Sequence, residues 1–159
     1  MSVGNYPKNS TVRTKMMKPT IVIVSGYFNP MHTGHLNYIR EAKKLGDILV
    51  AIINNDNQVE VKGSKTFLCE EDRATIIQSL EYVDHAVISV DEDGSVVKTI
   101  EEIWNVLRMS SGKFIFANGG DQKSGVPEEG FCLRNGINMI YGVGGEKTQS
   151  SSTLLDAVS

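Results

Sequence analysis

Two histidines three residues apart are the first sign of chemistry in this chain. His32 and His35 close the stretch Ser25-Gly26-Tyr27-Phe28-Asn29-Pro30-Met31-His32-Thr33-Gly34-His35. That stretch follows a short β-branched run and leads into helical periodicity. At a helix entrance, a spacing of three lets both imidazoles point into one space. The helix amino terminus adds exposed N–H donors and a positive dipole end, which together favour an anion. Two imidazole donors placed there suit charge developing on a phosphoryl group, whose transfer depends on positioning and electrostatic stabilisation. Gly26 permits a tight turn, and Gly34 keeps the loop close to whatever binds over it. A metal pair is the competing use of two such histidines. The remaining histidine is His85, and no nearby carboxylate or thiol completes a tetrahedral site.

The elements that must position these groups read as alternating strands and helices. Ile21-Val22-Ile23-Val24 is a buried strand by composition, ending at Ser25-Gly26. Leu36, Ile39, Ala42 and Leu45 recur on one helical face, with Gly46 placed to stop it. The apolar run Ile48 to Ile53 is a second strand, and the stretch from Asn54 to Thr66 is too hydrophilic for a core element. Glu70-Glu71-Asp72 put acids in the first turn of a helix whose buried face is expected at Ile76, Ile77 and Leu80. Ala86 to Val90 reads as a third strand, followed by a turn at Asp93-Gly94. Val96, Ile100, Ile103, Trp104 and Leu107 then recur at helical spacing. Phe114 to Ala117 is a fourth strand, closed by Asn118-Gly119-Gly120-Asp121. A short helix from Glu128 to Asn135 and a fifth strand from Ile137 to Tyr141 follow. Ser150-Ser151-Ser152 cap a final helix carrying Leu154, Leu155 and Val158. The pattern predicts an α/β fold: a doubly wound, five-stranded parallel sheet with helices on both faces. In such sheets ligands sit beyond the carboxyl ends of the strands, where the connection direction reverses, and the unusual residues cluster there.

Composition narrows the class. The chain has 159 residues, 40% of them hydrophobic and 22% charged, which describes one globular domain with a real core. The longest apolar run is six residues, too short for a transmembrane helix, and no apolar stretch follows the first methionine as a secretion signal would require. Two cysteines, Cys69 and Cys132, make neither a disulfide scaffold nor a metal set. A reduced, cytoplasmic setting is expected, with no membrane partner. A net charge of −3 speaks against a nucleic-acid partner. The charge is uneven: residues 1–18 carry Lys8, Arg13, Lys15 and Lys18 with no acid. They read as a disordered basic tail, with a docking arm as the alternative, ahead of a domain at 19–159.

Gly26-Tyr27-Phe28-Asn29-Pro30-Met31-His32-Thr33-Gly34-His35 resembles the signature of the cytidylyltransferase-like nucleotidyltransferases, built on an H-x-G-H motif. Ala42 to Asp47, followed by an apolar strand and Asn54-Asn55-Asp56, is similar to the small sugar- and polyol-phosphate members. Asn118-Gly119-Gly120-Asp121 and Gly145 to Ser152 resemble the later nucleotide motifs of the family. The resemblance runs from Thr20 to the carboxyl terminus. It implies a Rossmann-like fold, usually a homodimer, and attack by a phosphate monoester on a nucleoside triphosphate carrying Mg²⁺, with pyrophosphate released. It places Gly26, Tyr27, Phe28, Gly34, Asp121 and Lys147 in the nucleotide site. It gives Lys62, in the polar loop after strand two, the neutralisation of triphosphate or acceptor phosphate, and Arg73 a place near the active site. Ser151, Ser152 and Thr153 would offer hydroxyls and helix-start N–H groups to the β- and γ-phosphates. Without a ligand, Arg73 would simply pair with Glu70 or Glu71, and the serines would only cap a helix.

Two departures from the family pattern bear on specificity. Asn29 stands where many relatives have Asp, and Glu146-Lys147-Thr148-Gln149 stands where polyol-phosphate cytidylyltransferases carry an arginine. The Phe-Ala-Asn-Gly-Gly-Asp block and the Gln-Ser-Ser-Ser ending are closer to sugar-phosphate members, including heptose-phosphate adenylyltransferases. A glycerol-3-phosphate cytidylyltransferase-like enzyme and an inactive nucleotide-sensing module are the alternatives. Class I aminoacyl-tRNA synthetases share the motif but are far longer.

Overall fold

The computed structural model describes residues 18–120 and 124–145. Five strands form its centre: β1 (Ile21–Gly26), β2 (Ile48–Ile53), β3 (His85–Ile88), β4 (Phe114–Gly119) and β5 (Asn138–Val143). Five helices connect or follow them: α1 (Thr33–Lys43), α2 (Asp56–Lys62), α3 (Glu70–Gln78), α4 (Val97–Leu107) and α5 (Glu129–Arg134). All neighbouring strands pair in parallel, in the order β3-β2-β1-β4-β5. This is the expected Rossmann-like α/β fold. The central strand β1 is apolar on both faces because both faces are covered. Val22 and Val24 join Ile39 and Ala42 of α1 and Ile77 of α3 in one core. Ile21 and Ile23 join Ile100 of α4, Phe116 of β4 and Cys132 of α5 in the other.

From β1 the chain turns to β2 on one side and reaches β4 on the other, so the crevice between the ends of β1 and β4 is the switch point at which such sheets bind ligands. Tyr38 of α1 braces that seam. Its hydroxyl donates to the Ala117 carbonyl of β4 at 2.5 Å and accepts the Ser25 amide of β1 at 3.3 Å.

The polar stretch 54–66 corrects the sequence reading, because it contains α2 with Gln58 and Val59 fully buried. Gln58 is tolerated in the interior because both halves of its amide are used. Its nitrogen donates to the carbonyls of Asp93 and Ser95, and its oxygen accepts from Asn54 and Asn55. Lys62 therefore ends a helix and does not sit in a loop. On α3, Ile77 is buried as expected, but Ile76 is exposed and Arg73 takes the inward position. Leu45 lies beyond the end of α1 and is exposed. β4 runs through Asn118-Gly119, which the sequence reading made its closing turn. Trp104 packs against the α4-side core, edge-on to Phe131. The basic segment up to residue 17, Asp121, Lys147, Ser151, Ser152, Thr153 and the expected final helix lie outside the described residues.

Candidate active site

A cavity of about 800 Å³ opens over the carboxyl ends of β1 and β4. It crosses the edge of the sheet. Its floor is Ser25, Gly26, Asn118 and Gly119; one end is built by α1 and the Gly144-Gly145 loop, and the other by Gly94, Val96 and residues 126–128.

The loop from β1 to α1 is shaped by a close approach. Phe28 adopts a left-handed φ of 50° and folds its ring back over Gly26. A Cβ on Gly26 would meet the Phe28 ring at 2.8 Å, so only glycine fits beneath it. Phe28 is thus a buried support that meets His35 edge-on at 5.0 Å, and it does not line the cavity.

His32 is the N-cap of α1. Its Nδ1 accepts the Gly34 amide at 3.0 Å, and His35 Nδ1 accepts the His32 amide at 3.2 Å. This is a capping box made of imidazoles. With both Nδ1 atoms accepting, each neutral ring carries its proton on Nε2. The rings stack at 3.9 Å with planes 23° apart, and both residues line the cavity, with the His32 Nε2 itself shielded from solvent.

Lys62 and Tyr27 also line the cavity, with the Lys62 ammonium 4.3 Å from the centre of the Tyr27 ring. Burial, and then the charge of Glu128, pushes the Tyr27 phenol above its ordinary value. At the opposite end Asn37 donates to the Gly144 carbonyl at 2.7 Å and accepts from Arg40, tying α1 to the loop after β5. Gly144 has φ +87°, and a Cβ there would lie 3.0 Å from the Tyr38 Cα.

The structure places Arg73 differently from the other expected site residues. It is 1% exposed and lies beneath the cavity without lining it. Its guanidinium donates to the carbonyls of Leu68, Tyr27 and Asn54 and to Asp56 Oδ1 at 2.6 Å, and neither Glu70 nor Glu71 pairs with it. One planar fork thus fixes the β1 loop, the end of β2, the start of α2 and the loop before α3. Asn29, 3% exposed, clasps the same loop. Its nitrogen donates to the Lys65 carbonyl at 2.6 Å, and its oxygen accepts the Phe67 amide at 2.7 Å and the Leu68 amide at 3.3 Å.

Sequence reasoning missed Glu128, Tyr38 and Asn37. Glu128 and the next residue looked like acids at a helix start, and nothing local marks the former as a cavity wall. Tyr38 lies three residues beyond His35, on the same side of α1, and that spacing was the available signal.

A crossover α/β sheet with paired imidazoles capping the helix at its switch point defines the class. The cytidylyltransferase-like family model matches residues 23–143, and the chain belongs to that family. The FAD synthase of Picrophilus torridus is 37% identical over 82 residues, covering 52% of this chain and 58% of that protein. The bifunctional protein HldE of Campylobacter fetus is 41% identical over 86 residues, 52% of this chain and 19% of that much longer protein. The chain thus spans little more than half of the first relative and a fifth of the second. Among solved structures, a lipopolysaccharide core biosynthesis protein from Thermoplasma volcanium superposes with a TM-score of 0.62 at 30% identity, over 77% of this chain and 93% of that one.

Proposed function

We propose that this protein transfers a nucleoside monophosphate from a nucleoside triphosphate to a phosphate-monoester acceptor and releases pyrophosphate. The observation that carries the reading is the pair of stacked imidazoles that cap the amino terminus of α1 through Nδ1 and line a cavity at the β1/β4 switch point. An acceptor phosphate oxygen attacks the α-phosphorus in line, the bond to the β-phosphate oxygen breaks, and pyrophosphate leaves with the electron pair. His32 and His35 donate to the oxygens whose charge grows during that step, and their backbone-fixed tautomers need no rearrangement. Lys62 offsets phosphate charge from the edge of the cavity. Arg73 and Asn29 act as positioning residues, holding the loops that carry Tyr27 and Lys62. Lys147, Ser151, Ser152, Thr153 and Asp121 complete the triphosphate site in this reading.

Mg²⁺ carried by the triphosphate would offset part of its charge. The FAD synthase relatives support ATP as donor, since FAD contains an adenylyl group, and the Asn-Gly-Gly-Asp block supports a sugar phosphate of the heptose type as one acceptor. Flavin mononucleotide is the other.

The test is pyrophosphate release with ATP or CTP against a panel of acceptors. His35→Ala should reduce kcat on the order of 10²–10³-fold while moving the triphosphate KM far less. A His35→Ala enzyme with near wild-type kcat overturns the assignment.

A further inference from the structure

At the end of the cavity away from α1, one carboxyl stands in an apolar wall. Glu128 is 7% exposed and lines the cavity beside Val96, Phe116, Val126 and Pro127. Its Oε2 accepts the Val96 amide at 2.8 Å. A carboxylate can accept about four hydrogen bonds, so the amides of Val96 and of Glu128 itself leave part of that capacity for a group bound in the cavity that Glu128 lines. Burial raises the Glu128 carboxyl above its ordinary value, and the nearby Asp91 and Asp93 charges add to it. The field of the carboxyl reaches Tyr27, the residue beneath the Lys62 ammonium. His32, His35, Tyr27, Lys62 and Glu128 thus all line the one cavity.

A buried negative group repels a triphosphate, which the α1 terminus attracts, so the polyanion belongs at the histidine end. Lys62 offsets part of the charge of a phosphate monoester, which is about −2 at pH 8, and the wall beyond it offers apolar contact with one strong acceptor. We propose that Glu128 is the specificity-determining residue for the acceptor, taking a hydrogen bond from a hydroxyl or N–H on the body of the phosphate monoester while the rest of that body packs on the apolar wall. This rests on the nucleotidyl-transfer reading above. Acceptors without a donor at that position would leave a buried carboxylate unsatisfied, and discrimination by such a mismatch is strong.

The test uses Glu128→Gln and Glu128→Ala at pH 8, with ATP (and CTP for glycerol 3-phosphate) and Mg²⁺, and with flavin mononucleotide, a heptose phosphate and glycerol 3-phosphate as acceptors. Glutamine keeps a carbonyl for the Val96 amide but can turn an NH₂ to the cavity, so it restores a purely structural role and not recognition. For the acceptor the wild type uses, the KM of Glu128→Gln should rise on the order of 10–100-fold, with the ATP KM within about twofold. A wild-type acceptor KM in Glu128→Gln, with only Glu128→Ala impaired, overturns the proposal in favour of a structural anchor. An equal rise in the ATP KM overturns it in favour of a nucleotide contact. A wild type that releases pyrophosphate with none of the three acceptors overturns the nucleotidyl-transfer reading and this proposal with it, and that outcome is visible before any variant is made.

Discussion

Replacing Arg73 by methionine tests whether the guanidinium holds the site together or touches the substrate. Methionine matches much of the arginine stem but donates nothing. The Leu68, Tyr27 and Asn54 carbonyls and Asp56 Oδ1 would all lose their donor. Removing one partner of a buried ion pair costs about 3–5 kcal/mol. The Asp56 side chain is 37% exposed and regains water, which argues for the lower end of that range. A loss of about 3 kcal/mol lowers Tm by roughly 6–12 °C for a domain of this size. Lysine supplies three donors from a single point and cannot span four acceptors arranged around a planar fork, so Arg73→Lys should recover only part of the loss. Urea denaturation of the three proteins gives the stabilities, and pyrophosphate-release kinetics on the folded fractions gives the activity. The expected pattern is a graded loss of stability with a raised KM, because Tyr27 and Lys62 lose their support. A methionine variant within about 1 kcal/mol of wild type, yet with turnover abolished, would refute the positioning role and put the guanidinium on the substrate.

Two further outcomes are expected. Asn29→Asp keeps the bond from the Phe67 amide but sets a second oxygen against the Lys65 carbonyl in a site that is 3% exposed. It should lose about 1–3 kcal/mol in denaturant unfolding, and an unchanged midpoint would contradict the clasp. Glu128 has a folded-state pKa above its unfolded value, so its contribution to stability is full below the ordinary glutamate range and is lost as pH rises through the raised value. Glu128→Gln does not titrate, so its stability relative to wild type should increase from pH 4 to pH 8; a gap that stays constant across that range refutes the buried-carboxyl reading.

The strands were legible because burial on both faces demands unbroken apolar runs, and Ile21 to Val24 and Ile48 to Ile53 have nothing else to be. The histidine loop was legible because a glycine-bounded turn between a strand and a helix has few uses. α2 was hidden because its buried face carries a glutamine, whose partners Asp93 and Ser95 are more than thirty residues away and adjoin it only after the sheet forms. The partners of Arg73 were hidden for the same reason. Local sequence shows three acids ahead of it, while its acceptors are three backbone carbonyls and the Asp56 carboxylate, brought in by topology. Backbone acceptors leave no trace in residue type, and neither does the Val96 amide that holds Glu128.

The cavity lies astride the sheet, and its two ends rest on different cores. The histidine end is backed by Phe28, Ile39 and Val24, and the far end by Val96, Phe116 and Cys132. Substitutions that do not share neighbours combine nearly additively. Changes along the 96–128 wall can therefore accumulate without disturbing the helix cap that aims the imidazoles. An ancestral protein built this way can trade one acceptor for another by drift on one side of the sheet, while selection on the other side keeps the phosphate machinery unchanged.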